Sequence, residues 1–326
     1  MQRLFDHSLL WILILLAGSG YGFIGYAFFS WAFSHDSKDG VMLLSFLVGI
    51  PFSGSASVAY LVSYTKSPTL WLAVKVALLA AVIVLVLCMI AFREGSICVL
   101  LYVGMMVVPC LFGAVLGFLI AELHRSLSRH TMMSVVALLP FALGGMEQSY
   151  TAPDAVHEMQ RSAFIAAAPD VVWNAILHPA NIRPDELKDG FAFRIGAPYP
   201  VGAEVIQPAV GGIRKSQWQR GVSFDEEITA FESDRYIKWI YHFGKDSFPP
   251  GSLDDHLKAG GAYFDLKDTS YRLTPEGDGT KLDISVGYRV TTNFNWYAVP
   301  WANFFVGDTA TTLLKFYKSR SEHPGS

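Results

Sequence analysis

The stretch from Arg161 to Leu177, RSAFIAAAPDVVWNAIL, decides the fold of the second half of the chain. Its first part is apolar, and we predict a strand over residues 159–168. Pro169 and Asp170 suit the first turn of a helix that follows at once. The apolar face of that helix is expected to consist of Val172, Trp173 and Ile176.

About 150 residues of nearly uninterrupted apolar sequence precede this stretch. Residues 1–150 hold only 7 Lys+Arg and 6 Asp+Glu, of 25 and 28 in the chain. A charged residue costs about 2.5 to 3.5 kcal/mol at the centre of a membrane-spanning helix, so this depletion indicates lipid. We therefore predict a transmembrane domain over 1–148, a linker over 149–158, a soluble domain over 159–320 and a tail over 321–326.

Four apolar segments meet the length of about 20 residues that a spanning helix requires. They cover residues 8–33, 41–64, 70–92 and 97–121. A fifth segment, 131–146, is uncharged and would be about 24 Å long as a helix. It either crosses a thin bilayer or stops short of crossing.

Basic residues are distributed unevenly between the two sides that these spans define. One side carries Arg3, Lys66, Lys75, Arg125 and Arg129, and the other carries Lys38 and Arg93. The positive-inside rule then predicts a cytoplasmic N-terminus in a plasma or inner membrane. With five spans, which we favour, the soluble domain is extracytoplasmic; with four it is cytoplasmic.

Glycine motifs in the membrane half predict helix packing. Gly20, Gly22 and Gly25 match G-x-G-x-x-G, but they lie inside an apolar helix with no preceding strand, which argues against a dinucleotide site. The G-x-x-x-G spacing of Gly113 and Gly117 allows two helices to approach closely in lipid. No predicted span carries an acid or histidine in mid-membrane, so we interpret this half as an anchor or scaffold.

A series of short strands follows the first helix of the soluble half. We predict strands at 204–208, 212–220, 222–232, 235–243, 269–274 and 280–291, with a short helix at 184–188 before them and a long amphipathic helix at 296–318 after them. Short links between strands favour an antiparallel meander. The expected architecture is α+β, with the last helix laid across a curved sheet and a cavity between the two.

The segment FIAAAPDVVWNAI resembles the opening of the SRPBCC, or START-like, superfamily, in its polyketide cyclase/dehydrase and lipid-transport branch. The resemblance covers residues 158–320 in element order, and GVSFDEEITAFE and YRVTTNFNWYAVPWANFF are similar to members with an N-terminal membrane block. It implies a helix-grip fold around a hydrophobic cavity that takes lipids, sterols, polyketides or other apolar molecules. It implies no single activity, because the same fold serves carriers, hydrolases, cyclases and regulators.

Strand alternation predicts which side chains face this cavity. The candidate ligand-binding residues are Arg214, Trp218, Glu226, Trp239, Tyr241, Tyr271 and Tyr288 on the strands, with Trp301, Phe305 and Asp308 on the last helix. Aromatic side chains also fill cores that bind nothing. Arg214 and Glu226, if they point inward, must pair with each other or with a ligand head group; a rim position is the alternative.

Signals for catalysis and metal binding are weak in the soluble half. Residues 246–265 form a long, lid-like link in which Asp254, Asp255 and His256 are consecutive, a spacing that fits a helix cap better than a metal site. The half lacks G-x-S-x-G, H-E-x-x-H and cysteine. We predict no metal and no cofactor.

Three functions are compatible with these patterns. The first is a membrane-anchored protein that binds a hydrophobic small molecule or lipid, with membrane lipids as partners. The second is a cyclase- or dehydratase-type enzyme that uses Arg214, Glu226 and Asp308. The third is a structural or regulatory membrane protein without a ligand. No basic block interleaved with aromatic residues is present, so we predict no nucleic-acid partner, and the sequence names no protein partner.

Overall fold

The computed structural model of the protein describes residues 2–33, 42–63, 69–92, 95–127 and 131–323. The chain divides into two compact units, Met1–Ala152 and Pro153–Ser326. The first unit is helical and the second is built on one antiparallel sheet.

In the residues that the structure describes, the first unit forms five helices. They are α1 (Gln2–Phe33), α2 (Ile50–Val62, preceded without a break by a π-helical turn over Ser45–Gly49), α3 (Leu70–Phe92), α4 (Ser96–Leu127) and α5 (Thr131–Glu147). Within the described residues, four segments are long and apolar enough to cross a membrane: Leu9–Phe33, Ser45–Val62, Leu70–Ala91 and Ser96–Arg125. The four predicted spans thus form apolar helices of spanning length. The outer ends of the predicted second span, residues 41 and 64, lie outside the described residues.

Glycines allow the helices of this unit to approach closely. A Cβ atom added at Gly113 would overlap the backbone carbonyl of Phe52, and one added at Gly117 would overlap that of Ala56. The spacing of four places both glycines on one face of α4, in backbone contact with α2. The G-x-G-x-x-G motif also lies at a helix contact, since Gly22 of α1 lies against Val84 of α3. Both motifs therefore serve helix packing, as the sequence indicates.

Pro140 interrupts the hydrogen bonding of α5, and polar side chains of neighbouring helices compensate. Proline has no N–H, so the carbonyl of Val136, four residues earlier, loses its helical donor. The Ser53 hydroxyl donates to this carbonyl at 2.7 Å, and the Tyr21 hydroxyl donates to the next one, Ala137, at 2.7 Å. The Ser53 hydroxyl thus replaces the donor that Pro140 lacks.

Helix α5 packs against the second span from Ala56 back to Leu44, in the opposite direction. Near its start, Met133 packs with Ala56 and Ile120. At its end, the Glu147 carboxylate accepts the backbone N–H of Leu44 at 2.6 Å and of Ser45 at 2.8 Å. These N–H groups open the helical run of the second span, where a negative charge is stabilising.

The second unit is a seven-stranded antiparallel sheet with helices on one side. Its strands are β1 (Asp154–Ile165), β2 (Pro200–Val205), β3 (Ile213–Trp218), β4 (Ser223–Glu232), β5 (Tyr236–His242), β6 (Phe264–Glu276) and β7 (Gly279–Thr291), in the order β1-β7-β6-β5-β4-β3-β2. The helices are α6 (Pro169–Leu177), α7 (Phe191–Arg194) and α8 (Asn295–Glu322), with short 3-10 turns at Pro184–Leu187, Gln219–Gly221 and Asp255–Leu257.

Helix α8 packs across the curled sheet, against β1 and β7 and against α6. Val172 and Ile176 of α6 are fully buried in the core, as the opening stretch predicts. A curled half-barrel sheet gripped by a long C-terminal helix is the START-like helix-grip fold, so the predicted fold class is confirmed.

Some predicted boundaries are wrong. Strand β1 begins at Asp154, so residues 154–158, which we expected in the linker, are strand. Strand β1 lies at the edge of the sheet, and many of its side chains are exposed. Its sequence is therefore partly polar and resembles that of a linker. Strand β6 begins at Phe264, five residues earlier than predicted, because 264–268 pair with β7. The four-residue α7 was not predicted, since one turn is too short to show a helical period.

Candidate functional site

The inner faces of β3, β4 and β5 carry a buried polar cluster among aromatic residues. Arg214 and Glu226 are 6 % and 3 % exposed, so the alternative of a rim position does not hold. Lys215 and Asp225, the next residues on the same strands, are exposed, as strand alternation requires. The two charged side chains therefore lie inside the unit.

Arg214 and Glu226 stand directly opposite each other on β3 and β4 and form a salt bridge through Nη1 and Oε2. Ser216 completes the group: its hydroxyl accepts from Arg214 Nη1 at 3.0 Å and donates to Glu226 Oε2 at 3.0 Å. The guanidinium also lies 4.7 Å from the centre of the Trp239 ring, a cation–π contact. We name Arg214, Ser216, Glu226 and Trp239 the polar centre.

Burial and pairing act in opposite directions on the charges of the polar centre. Burial raises the pKa of Glu226 above its ordinary value, although the neighbouring Arg214 guanidinium lowers it. Burial lowers the pKa of Arg214, but the Glu226 carboxylate together with Tyr317 and Tyr271 raises it, and the net direction is upward. The guanidinium therefore keeps its proton, and its charge depends on Glu226 for compensation.

One donor of the polar centre is buried without an acceptor. Among the described residues, Arg214 Nε has no hydrogen-bond partner, whereas the Trp239 ring N–H interacts with Glu226 and Tyr241. Buried donors in proteins are nearly always satisfied, and an unsatisfied one costs about 1–3 kcal/mol. The Arg214 Nε–H group is therefore the polar group of this site that is left for an acceptor from outside the chain.

Buried tyrosines connect the polar centre to α8. Trp239 contacts the Tyr271 ring at 5.3 Å, and Tyr271 meets the edge of Tyr317 on α8 at 5.7 Å. The Tyr241 hydroxyl is hydrogen-bonded to Thr269 at 2.6 Å. Burial raises the pKa of all three tyrosines, so they stay protonated and can donate hydrogen bonds near neutral pH.

Our candidate residues omitted Tyr317, although its spacing of three and seven residues from Leu314 and Ala310 places it on the buried face of α8.

An aromatic wall extends from the polar centre along the sheet. Trp218 contacts Phe224 at 6.0 Å, Phe224 contacts Tyr241 at 5.8 Å, and the Tyr241 ring stacks on Phe243 at 5.6 Å. Phe243 in turn contacts Phe248, in the link before β6, at 5.8 Å. The wall is apolar apart from the tyrosine hydroxyl, so it suits a hydrophobic molecule.

The remaining candidate residues lie elsewhere on α8 and β7. Trp301 and Phe305 contact each other at 6.1 Å, and Phe305 contacts Phe191 of α7 at 6.3 Å. Tyr288 is fully buried and its hydroxyl donates to Asn303. Asp308 Oδ2 accepts the Ala192 N–H at 3.0 Å, so this carboxylate fastens α7 to α8. Whether any of the ten residues contacts a ligand stays a prediction.

The structure provides no candidate metal centre in the residues it describes, where no three His, Cys, Asp or Glu side chains converge. In the lid-like link, Asp255 forms an ion pair with Lys258 at 2.5 Å, and the His256 ring contacts Tyr263 at 6.5 Å. These groups make local contacts in a short 3-10 turn.

Fold and site together define a START-like helix-grip domain attached to an apolar helical unit. Similar solved structures include a START superfamily protein from Mycobacterium smegmatis, which is 14 % identical, aligns over 51 % of this chain and 97 % of its own, and has a TM-score of 0.34. Truncated norcoclaurine synthase from Thalictrum flavum is 17 % identical over 53 % of this chain and 99 % of its own, with a TM-score of 0.32. No family model matches the chain, and no curated protein matches it. These similarities assign no role to any residue.

Proposed function

We propose that this protein is a membrane-anchored START-like protein that binds a hydrophobic small molecule or lipid between the sheet and α8. The observation that carries the proposal is the unsatisfied buried donor Arg214 Nε, which lies within an otherwise aromatic surface. Binding sites for small molecules are mostly apolar, with a few polar groups that fix orientation. The aromatic wall together with the polar centre has this composition.

The polar centre defines the chemistry of such a ligand. An apolar body would lie along the aromatic wall of Trp218, Phe224, Tyr241 and Phe243. A carbonyl or hydroxyl oxygen would accept from Arg214 Nε. A net charge on the ligand is not required, because Glu226 already compensates Arg214.

Native mass spectrometry of the full chain, purified in mild detergent, tests this proposal. We expect a bound mass beyond that of the protein and detergent, and solvent extraction should release an apolar compound with at least one oxygen acceptor. Protein that carries no such compound, and that binds none when it is incubated with a lipid extract of its host membrane, would refute the proposal.

The contacts of α5 support five membrane crossings. Gly144, near its end, lies against Phe29 and Phe33 in the last turns of α1, and Glu147 binds the start of the second span. Its start lies beside Ala56, toward the end of that span. Helix α5 therefore runs from beside the later part of the second span to the level at which α1 ends, which supports a fifth crossing. We infer five crossings with the N-terminus in the cytoplasm and the START-like domain on the extracytoplasmic side.

Reporter fusions in a bacterial host test this topology. Alkaline phosphatase fused after Ala152 should be active, because that enzyme works only outside the cytoplasm, and β-galactosidase at the same site should be inactive. Fusions after Leu127, at the end of α4, are the control, since both four and five crossings place that residue in the cytoplasm. If the fusions after Ala152 give the same result as those after Leu127, α5 does not cross.

A further inference from the structure

Six aromatic side chains form a continuous surface on the first half of α8 and on α7. Trp296 contacts Tyr297 at 5.8 Å, Tyr297 contacts Trp301 at 6.4 Å, and Trp301 contacts Phe304 at 6.1 Å. We name the set the aromatic ridge; its members are Trp296, Tyr297, Trp301, Phe304 and Phe305 of α8 and Phe191 of α7.

The ridge is apolar where it meets solvent. Trp296 is 72 % exposed and Phe304 is 47 % exposed, although both are large aromatic residues. Residues 294–307 contain no charged side chain and no histidine, whereas the rest of α8 contains five charged residues in 308–322. An exposed apolar surface of this kind marks an interaction site.

The ridge starts at the point where the chain leaves the membrane unit. Asn295, one residue before Trp296, donates from Nδ2 to the carbonyl of Pro153 at 2.7 Å. Pro153 is the first residue of the second unit. Only residues 148–153 separate the end of α5 from β1, and six extended residues span at most about 20 Å. With a link this short, the start of the ridge is within reach of the bilayer in which we propose that the apolar helices lie.

We propose that the aromatic ridge docks the second unit onto the lipid surface of the bilayer that holds the apolar helices. Tryptophan and tyrosine favour the membrane–water interface, where the ring is apolar and the N–H or O–H stays hydrated. An uncharged aromatic helix face lies in this interface without burying a charge. The inference rests on the membrane anchoring proposed above, and it does not depend on the presence of a ligand.

Spin labels on α8 of the full chain in phosphatidylcholine nanodiscs test this docking. Pro300 is exposed between Trp296 and Phe304, and Ser319 is exposed about 28 Å further along the same helix, so Pro300→Cys and Ser319→Cys form a matched pair. Cys88, Cys98 and Cys110 are replaced by alanine beforehand.

We expect the label at 300 to be accessible to oxygen and shielded from a water-soluble nickel complex, and the label at 319 to show the reverse. Equal water exposure at both sites refutes docking, and shielding of 300 from both reagents assigns the ridge to a protein partner or a second copy.

A tryptophan measurement tests the same proposal with all native cysteines in place. Brominated phosphatidylcholine quenches tryptophan within the bilayer and its interface, so Trp296→Phe should reduce the quenched fraction of the total emission, whereas Trp173→Phe, at a buried core position, should not. An unchanged quenched fraction in Trp296→Phe refutes docking. The mass of bound ligand, measured on the same samples, reports separately on the proposed function, because the docking account expects Trp296→Phe to retain the ligand.

Discussion

Replacing Arg214 by methionine is expected to destabilise the second unit by about 3–5 kcal/mol, the largest effect we predict for that unit. The change leaves the Glu226 carboxylate buried without its cation, and an unpaired buried charge has this cost. For a domain of this size, the melting temperature should fall by about 10 °C. Near-UV circular dichroism of the full chain measures it, because the signal reports the packing of Trp239 and its neighbours.

The double variant R214M/E226M is the matched control. Two methionines fill the space of the pair without a charge, and such replacements of buried ion pairs are often neutral or stabilising. We expect the double variant to melt within a few degrees of the native protein. If the single variant melts like the native protein, or if the double variant is as unstable as the single one, the pair does not have the energetic role that we assign to it.

Gly117→Ala is expected to destabilise the first, helical unit by about 3 kcal/mol, the largest effect of one added methyl group in that unit. The new Cβ atom would overlap the Ala56 carbonyl, and backbone cannot turn away as a flexible side chain can. Helices α2 and α4 would have to separate, which removes close contacts along both. Unfolding in sodium dodecyl sulfate, followed by far-UV circular dichroism, measures the change.

Gly20→Ala is the control for this substitution. Gly20 lies inside α1, and a Cβ atom there meets no atom within 4 Å. Because alanine favours helix over glycine by about 1 kcal/mol, this variant should be as stable as the native protein or slightly more stable. Equal unfolding of the Gly117 and Gly20 variants would show that α2 and α4 do not pack through Gly117.

The face of the sheet on which the site residues lie could be predicted from the sequence. The hydrogen-bond and ion-pair partners of these residues could not. Alternation places Arg214, Glu226 and Trp239 on one face because a strand repeats every two residues. The pairing of Arg214 with Glu226 depends on the register of β3 and β4, which the turn between them sets. That turn includes Arg220 and Gly221 at φ angles of 60° and 73°. No periodicity in the strands encodes this register.

Some features of the site depend on tertiary contacts that the sequence does not show. The partner of the Asp308 carboxylate, Ala192, lies on α7, a helix too short to be predicted. The packing of Arg214 on Trp239, which leaves Arg214 Nε without an acceptor, follows from no spacing in the sequence. The fold was more predictable, because the helix signals in Pro169–Leu177 and the alternation of the strands both agree with the observed architecture.

The most direct test of the account compares the ligand content of native protein and of the R214M/E226M variant, purified identically as full chains. We expect native protein to release an apolar, oxygen-bearing compound in a ratio of about one per chain, and the folded double variant, which has lost Arg214 Nε, to release much less. A double variant that carries the compound in native amount, or a native protein that carries none, would contradict the claim that the polar centre is a ligand site.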